Sequence, residues 1–337
     1  MNGKYIEFSA PNVAELKDIE FPASVEKGYV LVKTAVSTVS PGTERAVLSD
    51  SPNCGGYQHH VFPRRSGYSS AGVVEAAGEG VTSVAAGDRV VVFWGTHASY
   101  NCVPEKQTVK IPDSVSFEAA AAVLISTFSL AAIRKCRVEF GEAAMVMGCG
   151  LLGQFAVKLL RAVGAAPVIA VDPTASRREE AIRHGADHAL DPTAADFAKS
   201  AVSLSGGIKV VIEVTGLGIG LDQALDCTDR FARVALLGCT RDSDFSIDYY
   251  HKVHTPGITL IGAHTKARPD EESSPGWFTQ RDDIKAVLKL LDCRHITFDD
   301  MLPERAYSPA ECAAVYDRVL HDRSFPTLAQ FDWRKPT

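Results

Sequence analysis

Six residues near the middle of the chain carry the clearest chemical signal in the sequence. Residues 148–153 read Gly-Cys-Gly-Leu-Leu-Gly, which has the spacing G-x-G-x-x-G. They follow a short apolar run at 144–147, typical of a buried strand, and an amphipathic helical pattern begins at Leu151. In that setting Gly148 permits a tight turn, Gly150 lets the backbone approach a pyrophosphate, and Gly153 lets helix and strand pack closely. The pattern predicts a dinucleotide site, with phosphates bound over the unpaired N–H groups of the helix N-terminus.

An acidic residue follows the next predicted strand. Asp172 lies at the distance from the glycines at which a carboxylate accepts hydrogen bonds from the adenosine ribose hydroxyls. A carboxylate there would repel a 2′-phosphate, so NAD(H) is favoured over NADP(H). Arg177 and Arg178 could pair with that phosphate, which keeps NADP(H) possible. Alternatively, Asp172 caps the following helix and the arginines form a solvated face.

Composition limits the function classes. The 337 residues suffice for about two domains. The formal net charge of −6 offers no broad basic surface for nucleic acid. The longest apolar run, 119–125, is far shorter than the roughly 20 residues of a membrane span, so we expect no membrane insertion. The eight cysteines include no C-x-x-C pair, which predicts reduced thiols and a cytoplasmic location.

The order of predicted elements divides the chain. Residues 1 to about 115 have the short strands and turns of a β-rich domain, and residues 126–264 alternate apolar strands with helices. That alternation predicts an α/β fold with a doubly wound parallel sheet covered on both faces. The predicted strands are Ala144 to Met147, Val168 to Val171, Val210 to Val214, Val234 to Leu237 and Thr259 to Ile261. The predicted helices are Leu151 to Val163, Arg177 to His184, Asp282 to Leu291 and Pro309 to His321.

Several blocks, spread in order along the chain, resemble the medium-chain dehydrogenase/reductase superfamily of zinc alcohol dehydrogenases and quinone oxidoreductases. They are PGTE at 41–44, GYSSAGVVE at 67–75, GDRV at 87–90, HASY at 97–100, ST at 126–127, the glycine motif, and EVTG at 213–216. The resemblance implies a Rossmann dinucleotide-binding domain, 126–264, inserted into a GroES-like catalytic domain formed by 1–125 and 265–337. It also implies a homodimer.

The departures from the superfamily concern zinc. Zinc-dependent members carry Cys-Gly-Thr-Asp at the first block and Gly-His-Glu at the second, whereas this chain has Pro41 and Tyr68 at the ligand positions. The third ligand position falls among the apolar residues 123–125. Because a zinc site needs three thiolate, imidazole or carboxylate donors, we predict no metal. The block SPGTER at 40–45 resembles a zinc-lacking branch that includes bacteriochlorophyllide hydroxyethyl dehydrogenases and sugar-pathway dehydrogenases.

Without zinc, another group must polarise the substrate oxygen. By resemblance, Thr43 occupies the proton-relay position and Glu44 matches the acid that orients the missing histidine. Our hypothesis is that Tyr68 and Thr43 hydrogen-bond the reacting oxygen while Glu44 hydrogen-bonds the phenol of Tyr68. Alternatively, Tyr68 only fills the space left by the metal, and Glu44 pairs with Arg45 or another cation.

Histidines are the other candidates for proton transfer. His264 follows the last predicted strand and is the second candidate for the acid/base. His97 is expected to shape its domain, and His184, at a helix end, is expected to face water. His59 and His60 are interpreted as solvated loop residues.

The resemblance also implies binding residues. Phe93 and Trp94 match positions that line the substrate pocket, although Trp94 could equally be core. Arg177 and Leu151 accompany the glycine motif and Asp172 in the cofactor site, and Leu152 matches the residue that braces the nicotinamide ring. The positions that match contacts to the nicotinamide end are Thr127, Val214, Thr215, Leu237, Gly238 and Cys239.

Three functions stay open at this point. The first is a zinc-independent, NAD(H)-linked interconversion of a secondary alcohol and a ketone on a polyol, sugar-like or ring-bearing small molecule. The second is NAD(P)H-dependent reduction of a quinone or enone, which needs only a donor for the enolate oxygen. The third is a nucleotide-binding protein without catalysis.

Overall fold

A computed structural model describes residues 1–21, 24–54, 61–241 and 245–337. The chain forms two compact units, one made of Met1–Ile125 with Ile284–Thr337 and the other of Ser126–Asp283. His59 and His60 lie outside the described residues.

The first unit begins with strands and one short helix. Strand β1 pairs antiparallel with β2 and β4, and β5 lies between β3 and β6. The first helix, α1, starts at Pro41, because proline at the first helical position loses no hydrogen bond that the helix would make. The elements are β1 (Asn2–Ala10), β2 (Val13–Glu20), β3 (Tyr29–Val39), α1 (Pro41–Leu48), β4 (Arg64–Arg65), β5 (Ser69–Ala77), β6 (Arg89–Phe93), β7 (Tyr100–Pro104) and β8 (Thr108–Lys110).

A long apolar helix, α2 (Phe117–Cys136), follows. Its N-terminus is capped as its sequence indicates, since the Ser116 hydroxyl accepts a hydrogen bond from the Ala119 amide at 3.1 Å. At 20 residues it is longer than the apolar run at 119–125, and by length and composition alone it could cross a membrane. However, 83% of its most apolar window is buried within the protein. Its apolar character is therefore accounted for by core packing.

The second unit contains the predicted parallel sheet. Six strands lie in the order β11-β10-β9-β12-β13-β14, which is the 3-2-1-4-5-6 order of a Rossmann fold. Helices α3 and α6 pack on both β9 and a neighbouring strand. The elements are β9 (Ala144–Met147), α3 (Leu151–Val163), β10 (Val168–Val171), α4 (Ala175–Arg183), β11 (His188–Leu190), α5 (Phe197–Ser205), β12 (Ile208–Glu213), α6 (Gly218–Asp226), β13 (Thr228–Leu236) and β14 (Thr259–Gly262).

The predicted α/β class and doubly wound sheet are confirmed. Strands β9 and β10 and helix α3 have the predicted bounds, because the strands are buried from end to end and the helix is buried along most of its length. Strand β11 was not predicted. It has three residues, is only half-buried and contains a histidine, so it lacks the apolar signal of its neighbours.

The nucleotide-binding domain was predicted to end at 264, but the second compact unit continues to Asp283. Polar contacts hold residues 265–283 in this unit. The Lys135 ammonium donates to the carbonyls of Gly262 (3.0 Å) and Ala267, and the Arg268 guanidinium pairs with Asp283 at 3.3 Å. Burial raises the pKa of the Asp283 carboxyl to about 6, although Arg134 and Arg268 oppose the shift. These charged contacts link positions too distant in sequence to be inferred from it.

The C-terminal segment returns to the first unit. Helix α7 (Gln280–Asp292) leads into this segment, α8 (Cys312–His321) packs against β2 and α1, and β15 (Ala329–Asp332) pairs antiparallel with β3. The strand order β15-β3-β5-β6-β8, with β7 also on β3, therefore joins both ends of the chain in one antiparallel sheet. This sheet is the β-rich, GroES-like part of the prediction.

Candidate active site

The glycine turn connects β9 to α3 closely at Gly148 and Gly153 and is open at Gly150. Gly148 has a φ of +99°, which favours glycine, and its amide donates to the Val171 carbonyl at 2.7 Å. A Cβ at Gly153 would lie 1.9 Å from the Gly148 carbonyl oxygen, so only glycine permits this approach of helix to strand. A Cβ at Gly150 would meet no atom within 4 Å. The turn thus leaves open the side on which a pyrophosphate would approach the backbone.

Asp172 lies beside this turn at the end of β10. Its carboxylate accepts hydrogen bonds from the amides of Cys149 (2.9 Å) and Thr174 (2.8 Å), and only 4% of the residue is exposed. The Arg177 guanidinium is 3.8 Å from the same carboxylate. Burial, with a smaller contribution from the Asp172 charge, raises the pKa of the Cys149 thiol to about 12. The acid therefore braces the glycine turn.

A buried amide that was not predicted reinforces the same region. Gln154, on α3, donates to the carbonyls of Cys149 (3.0 Å) and Arg177 (3.1 Å), and its oxygen lies 2.8 Å from His184 Nδ1. The expectation that His184 faces water is wrong, because the ring is buried against Gln154. The sequence does contain one indication of this buried amide, since Gln154 is a polar residue within the apolar face of α3.

The ends of β12 and β13 meet near the glycine turn. Glu213, buried at the end of β12, accepts hydrogen bonds from the Thr215 amide (2.7 Å) and hydroxyl, and burial raises its pKa. A Cβ at Gly238 would lie 2.3 Å from the Gly216 amide nitrogen, and one at Gly148 would lie 3.0 Å from the Thr215 methyl. Three strand ends thus converge at the point where the strand order reverses, where open α/β sheets bind ligands.

The other predicted cofactor residues lie along these strand ends and on α2 and α3. The amides of Leu237 and Gly238 both donate to the Glu213 carbonyl at 2.9 Å, and Val214 donates to Met147 at 2.9 Å. Cys239 is half-buried, with its carbonyl oxygen 2.6 Å from where a Cβ on Gly216 would lie.

Thr127 and Leu152 are held by polar neighbours that were not predicted. The Thr127 hydroxyl accepts a hydrogen bond from the Gln280 amide group, and the Leu152 carbonyl accepts one from the Ser129 hydroxyl at 2.7 Å. Gln280 belongs to the segment that had been assigned to the other domain.

His264 follows β14 in the second unit. Its Nδ1 accepts a hydrogen bond from the Lys266 amide at 3.1 Å. Partial burial and the charges of Lys266 and Lys135 lower the pKa of the ring. Neutral imidazole is therefore its main form at neutral pH.

In the first unit, Tyr68 lies among hydroxyl groups. The side chains of Ser40 and Thr43 hydrogen-bond its phenol, and burial together with the nearby charge of Glu44 raises the pKa of that phenol well above its ordinary value. Thr43 is on the first turn of α1 and Ser40 immediately precedes that helix. Tyr68 therefore holds its proton throughout the physiological pH range.

Our hypothesis was that Glu44 hydrogen-bonds the Tyr68 phenol, but the carboxylate has other hydrogen-bond partners. Its carboxylate accepts hydrogen bonds from the Ser40 amide (2.8 Å), from His97 Nε2 (3.1 Å) and from the Tyr316 hydroxyl, and it acts on Tyr68 through its charge. The alternative was a pairing with Arg45 or another cation, and no arginine or lysine is among these partners. Tyr316 is separated from Glu44 by 272 positions, so no sequence pattern connects them.

The two aromatic residues predicted to line the substrate site differ in exposure. Phe93 is buried, whereas 43% of Trp94 is exposed. The Trp94 ring lies 5.6 Å from the Tyr68 ring at an interplanar angle of 30°, and its φ of +62° is unusual for a bulky residue. The strand end thus directs a large aromatic surface outward beside the Tyr68 phenol.

The zinc-ligand positions do not offer a donor set. Pro41 starts α1, Tyr68 contributes a protonated phenol, and residues 123–125 are fully buried apolar side chains of α2. Within the described ranges, no group of three His, Cys, Asp or Glu side chains could hold a metal ion. Thiolate, imidazole and carboxylate are the ligands that zinc requires, so these residues do not fit the metal.

Comparison with known proteins identifies the family. Residues 26–113 match the alcohol dehydrogenase GroES-like domain, and residues 152–277 match the zinc-binding dehydrogenase family. The (R,R)-butanediol dehydrogenase of Bacillus subtilis is 32% identical over 275 residues, covering 73% of this chain and 75% of that protein. This chain belongs to the alcohol dehydrogenase-like medium-chain dehydrogenase/reductase superfamily.

Other superfamily members are also similar. The D-guloside 3-dehydrogenase of Escherichia coli is 34% identical over 214 residues, covering 62% of this chain and 61% of that protein. The crystal structure of 2R,3R-butanediol dehydrogenase from Bacillus subtilis superposes with a TM-score of 0.82 at 22% identity, over 99% of this chain and 100% of the other. The protein is therefore an oxidoreductase of an NAD(P)-dependent superfamily with this fold.

Two glycine variants test the nucleotide site. We expect Gly150→Ala to leave Tm unchanged, because its Cβ meets no protein atom and its φ is −71°. It should weaken NADH binding by about tenfold or more, because the added methyl group occupies the phosphate side of the turn. Gly153→Ala should lower both Tm, by several degrees, and NADH affinity, because its Cβ overlaps the Gly148 carbonyl. Calorimetry and fluorescence titration measure the two effects, and unchanged NADH binding in Gly150→Ala would contradict the assignment.

Proposed function

We propose that this protein is a zinc-independent, NAD(H)-dependent dehydrogenase that interconverts a secondary alcohol and a ketone. The observation that carries the proposal is the phenol of Tyr68, at a zinc-ligand position of the superfamily, hydrogen-bonded by the hydroxyls of Ser40 and Thr43. A hydroxyl cluster at this position supplies hydrogen-bond donors where zinc-dependent relatives use a Lewis acid.

The protonation state of Tyr68 defines the role of this hydroxyl cluster in catalysis. Ser40 and Thr43 hydrogen-bond the Tyr68 phenol, and a protonated phenol can donate a hydrogen bond to the oxygen of a substrate carbonyl. Tyr68 acts as a hydrogen-bond donor rather than as a base, because burial keeps its pKa high. When bound, the nicotinamide cofactor supplies or accepts the hydride. Oxidation of an alcohol additionally needs a proton acceptor, and the lowered pKa of His264 leaves its ring neutral and suited to that role.

The cofactor preference rests on Asp172. A carboxylate at this position repels a 2′-phosphate, and its bonds to the Cys149 and Thr174 amides fix it there. Arg177, 3.8 Å away, is itself partly neutralised by this carboxylate.

The substrate class rests on the relatives and on Trp94. Butanediol and the 3-position of a guloside each present a secondary alcohol, and a guloside adds a sugar ring. The exposed face of Trp94 beside Tyr68 is suited to pack against a ring or an extended carbon chain. We therefore favour a polyol, sugar-like or ring-bearing secondary alcohol.

A second candidate is reduction of a quinone or enone. The protonated phenol of Tyr68 favours it, because an enolate oxygen needs a donor and no base. The two candidates share the cofactor and the donor and differ in substrate.

The functional test combines a substrate panel with Tyr68→Phe. Polyols and secondary alcohols are assayed with NAD, and quinones and enones with NADH. We expect turnover of a secondary alcohol, and a fall in kcat/KM of about tenfold or more in Tyr68→Phe, from loss of one hydrogen bond to a developing charge. Activity on quinones or enones alone would select the second candidate, and a loss below about threefold would remove Tyr68 from the mechanism.

Cofactor choice is tested with Asp172→Asn. The wild-type protein should bind NADH more tightly than NADPH, and the variant should lose about tenfold or more of that discrimination, because the amide keeps an acceptor but not the charge. Asp191→Asn is the matched control, since Asp191 is a carboxylate at the end of β11 paired with Arg178 at 3.1 Å. Tighter NADPH binding by the wild-type protein would overturn the assignment of Asp172.

Metal content and assembly are tested together by native mass spectrometry of protein purified without added zinc. We expect no bound zinc and a homodimer of 36.2-kDa chains. Strand β14 is one of the two edges of the parallel sheet, and 37% of its Leu260 is exposed, which suits pairing with a second copy. One zinc per chain would contradict the metal-free proposal, and a monomer at micromolar concentration would contradict the dimer.

A further inference from the structure

A buried polar network surrounds Glu44 in the first unit. Only 2% of Glu44 and none of His97 is exposed, and Tyr316 is 1% exposed. Ser37 and Trp333 extend the network beyond His97. His97 Nδ1 lies 2.7 Å from the Ser37 hydroxyl, which in turn accepts a hydrogen bond from Trp333 Nε1 at 2.9 Å. The network thus joins β3, α1, α8 and the residue after β15.

One arrangement of protons gives every polar atom a partner. Trp333 Nε1 can only donate, so the Ser37 oxygen accepts from it and can give its own proton to His97 Nδ1. The His97 Nε2–H then donates to Glu44. Together with the Ser40 amide and the Tyr316 hydroxyl, this places three donors on one carboxylate. Each oxygen of the buried Glu44 carboxylate therefore has at least one hydrogen-bond partner.

Stability alone does not account for such a network. Burying a carboxylate is costly, and replacing buried ionic groups by packed apolar residues is often neutral or stabilising. The same position could be filled by apolar side chains, as the neighbouring cluster of Phe8, Phe331 and Val39 is. What the network does supply is a fixed orientation, because each hydrogen bond constrains both of its partners.

The network reaches the start of α1 through Glu44. Glu44 accepts the Ser40 amide proton, which holds the residue preceding the helix. The side chains of that residue and of Thr43, on the first turn of the helix, hydrogen-bond the Tyr68 phenol. A movement of Glu44 would therefore shift the two groups that orient Tyr68.

We infer that His97 and Tyr316 are positioning residues that fix Glu44, and that Glu44 in turn fixes Ser40 and Thr43 against the hydroxyl of Tyr68. This inference rests on the proposed function for its catalytic meaning, but the physical coupling of Tyr316 to Tyr68 stands apart from any activity. Neither His97 nor Tyr316 contacts the reacting oxygen in this scheme. They act through Glu44.

The test observes Tyr68 directly by ¹⁹F NMR of the full chain labelled with 3-fluorotyrosine. The chain has nine tyrosines, and the Tyr68 signal is assigned by its loss in Tyr68→Phe. Tyr316→Phe removes only the hydroxyl and keeps the ring that packs on Phe8 at 4.9 Å. Glu44→Gln keeps the shape of the side chain and removes its charge. Tyr5→Phe is the matched control, because the Tyr5 hydroxyl also donates to a glutamate, Glu7, at 2.7 Å.

We expect Tyr316→Phe and Glu44→Gln to shift the Tyr68 signal by more than Tyr5→Phe does, in proteins whose remaining spectrum shows that they are folded. A Tyr68 signal unchanged in Glu44→Gln overturns the inference, even if Tyr316→Phe does not fold.

The outcomes separate this inference from the proposed function. If the Tyr68 signal shifts but Tyr68→Phe keeps its activity on the substrate panel, the coupling stands and the catalytic role of Tyr68 fails. If Tyr68→Phe loses activity and the signal does not respond to Glu44→Gln, the catalytic role stands and the positioning role fails.

Discussion

The close approach of α3 to β9 is the constraint on which the nucleotide-binding unit depends. No side chain fits at Gly153, because its Cβ would overlap the Gly148 carbonyl. With helix and strand in contact, the amide of Cys149 comes within reach of Asp172, and Gln154 can bridge the turn to Arg177 and His184. The open space at Gly150 is a consequence of the same geometry, since the turn must fold back sharply to bring Gly153 against Gly148.

In the proposed mechanism, the first unit places polar groups at the positions where zinc-dependent superfamily members carry metal ligands. A protonated phenol and two hydroxyls can stabilise a developing negative charge only if they are oriented in advance, because a hydrogen bond that must reorganise during the reaction contributes less. The carboxylate of Glu44 supplies that orientation through the start of α1, and His97 and Tyr316 satisfy the carboxylate from two distant parts of the chain. The same cluster of hydrogen bonds thus compensates the buried carboxylate and orients the hydroxyl groups.

Much of the fold could be predicted from the sequence, and the reasons are local. Strands β9 and β10 lie between helices, so uninterrupted apolar runs predict their bounds, whereas the half-buried β11 gives no such signal. The second compact unit extends beyond the predicted boundary at 264, because Lys135 holds Ala267, and Arg134 pairs with Asp283, each across more than a hundred positions. The water-facing expectation for His184 failed for a similar reason, since a helix end beside glycine predicts exposure unless a partner such as Gln154 buries it.

The sequence by itself predicted the nucleotide site and determined which residue types stand at the three positions compared with zinc ligands, because both depend on residue types at short spacings. The glycine spacing, the acid after the next strand, and Pro41 and Tyr68 can each be identified without coordinates. Only the tertiary structure decided the partners of Glu44, which are 53 and 272 positions away at His97 and Tyr316. Residue types alone do not indicate which of several distant donors a carboxylate will meet. Its partner is the donor that the packing of the sheet and helices brings within hydrogen-bond distance.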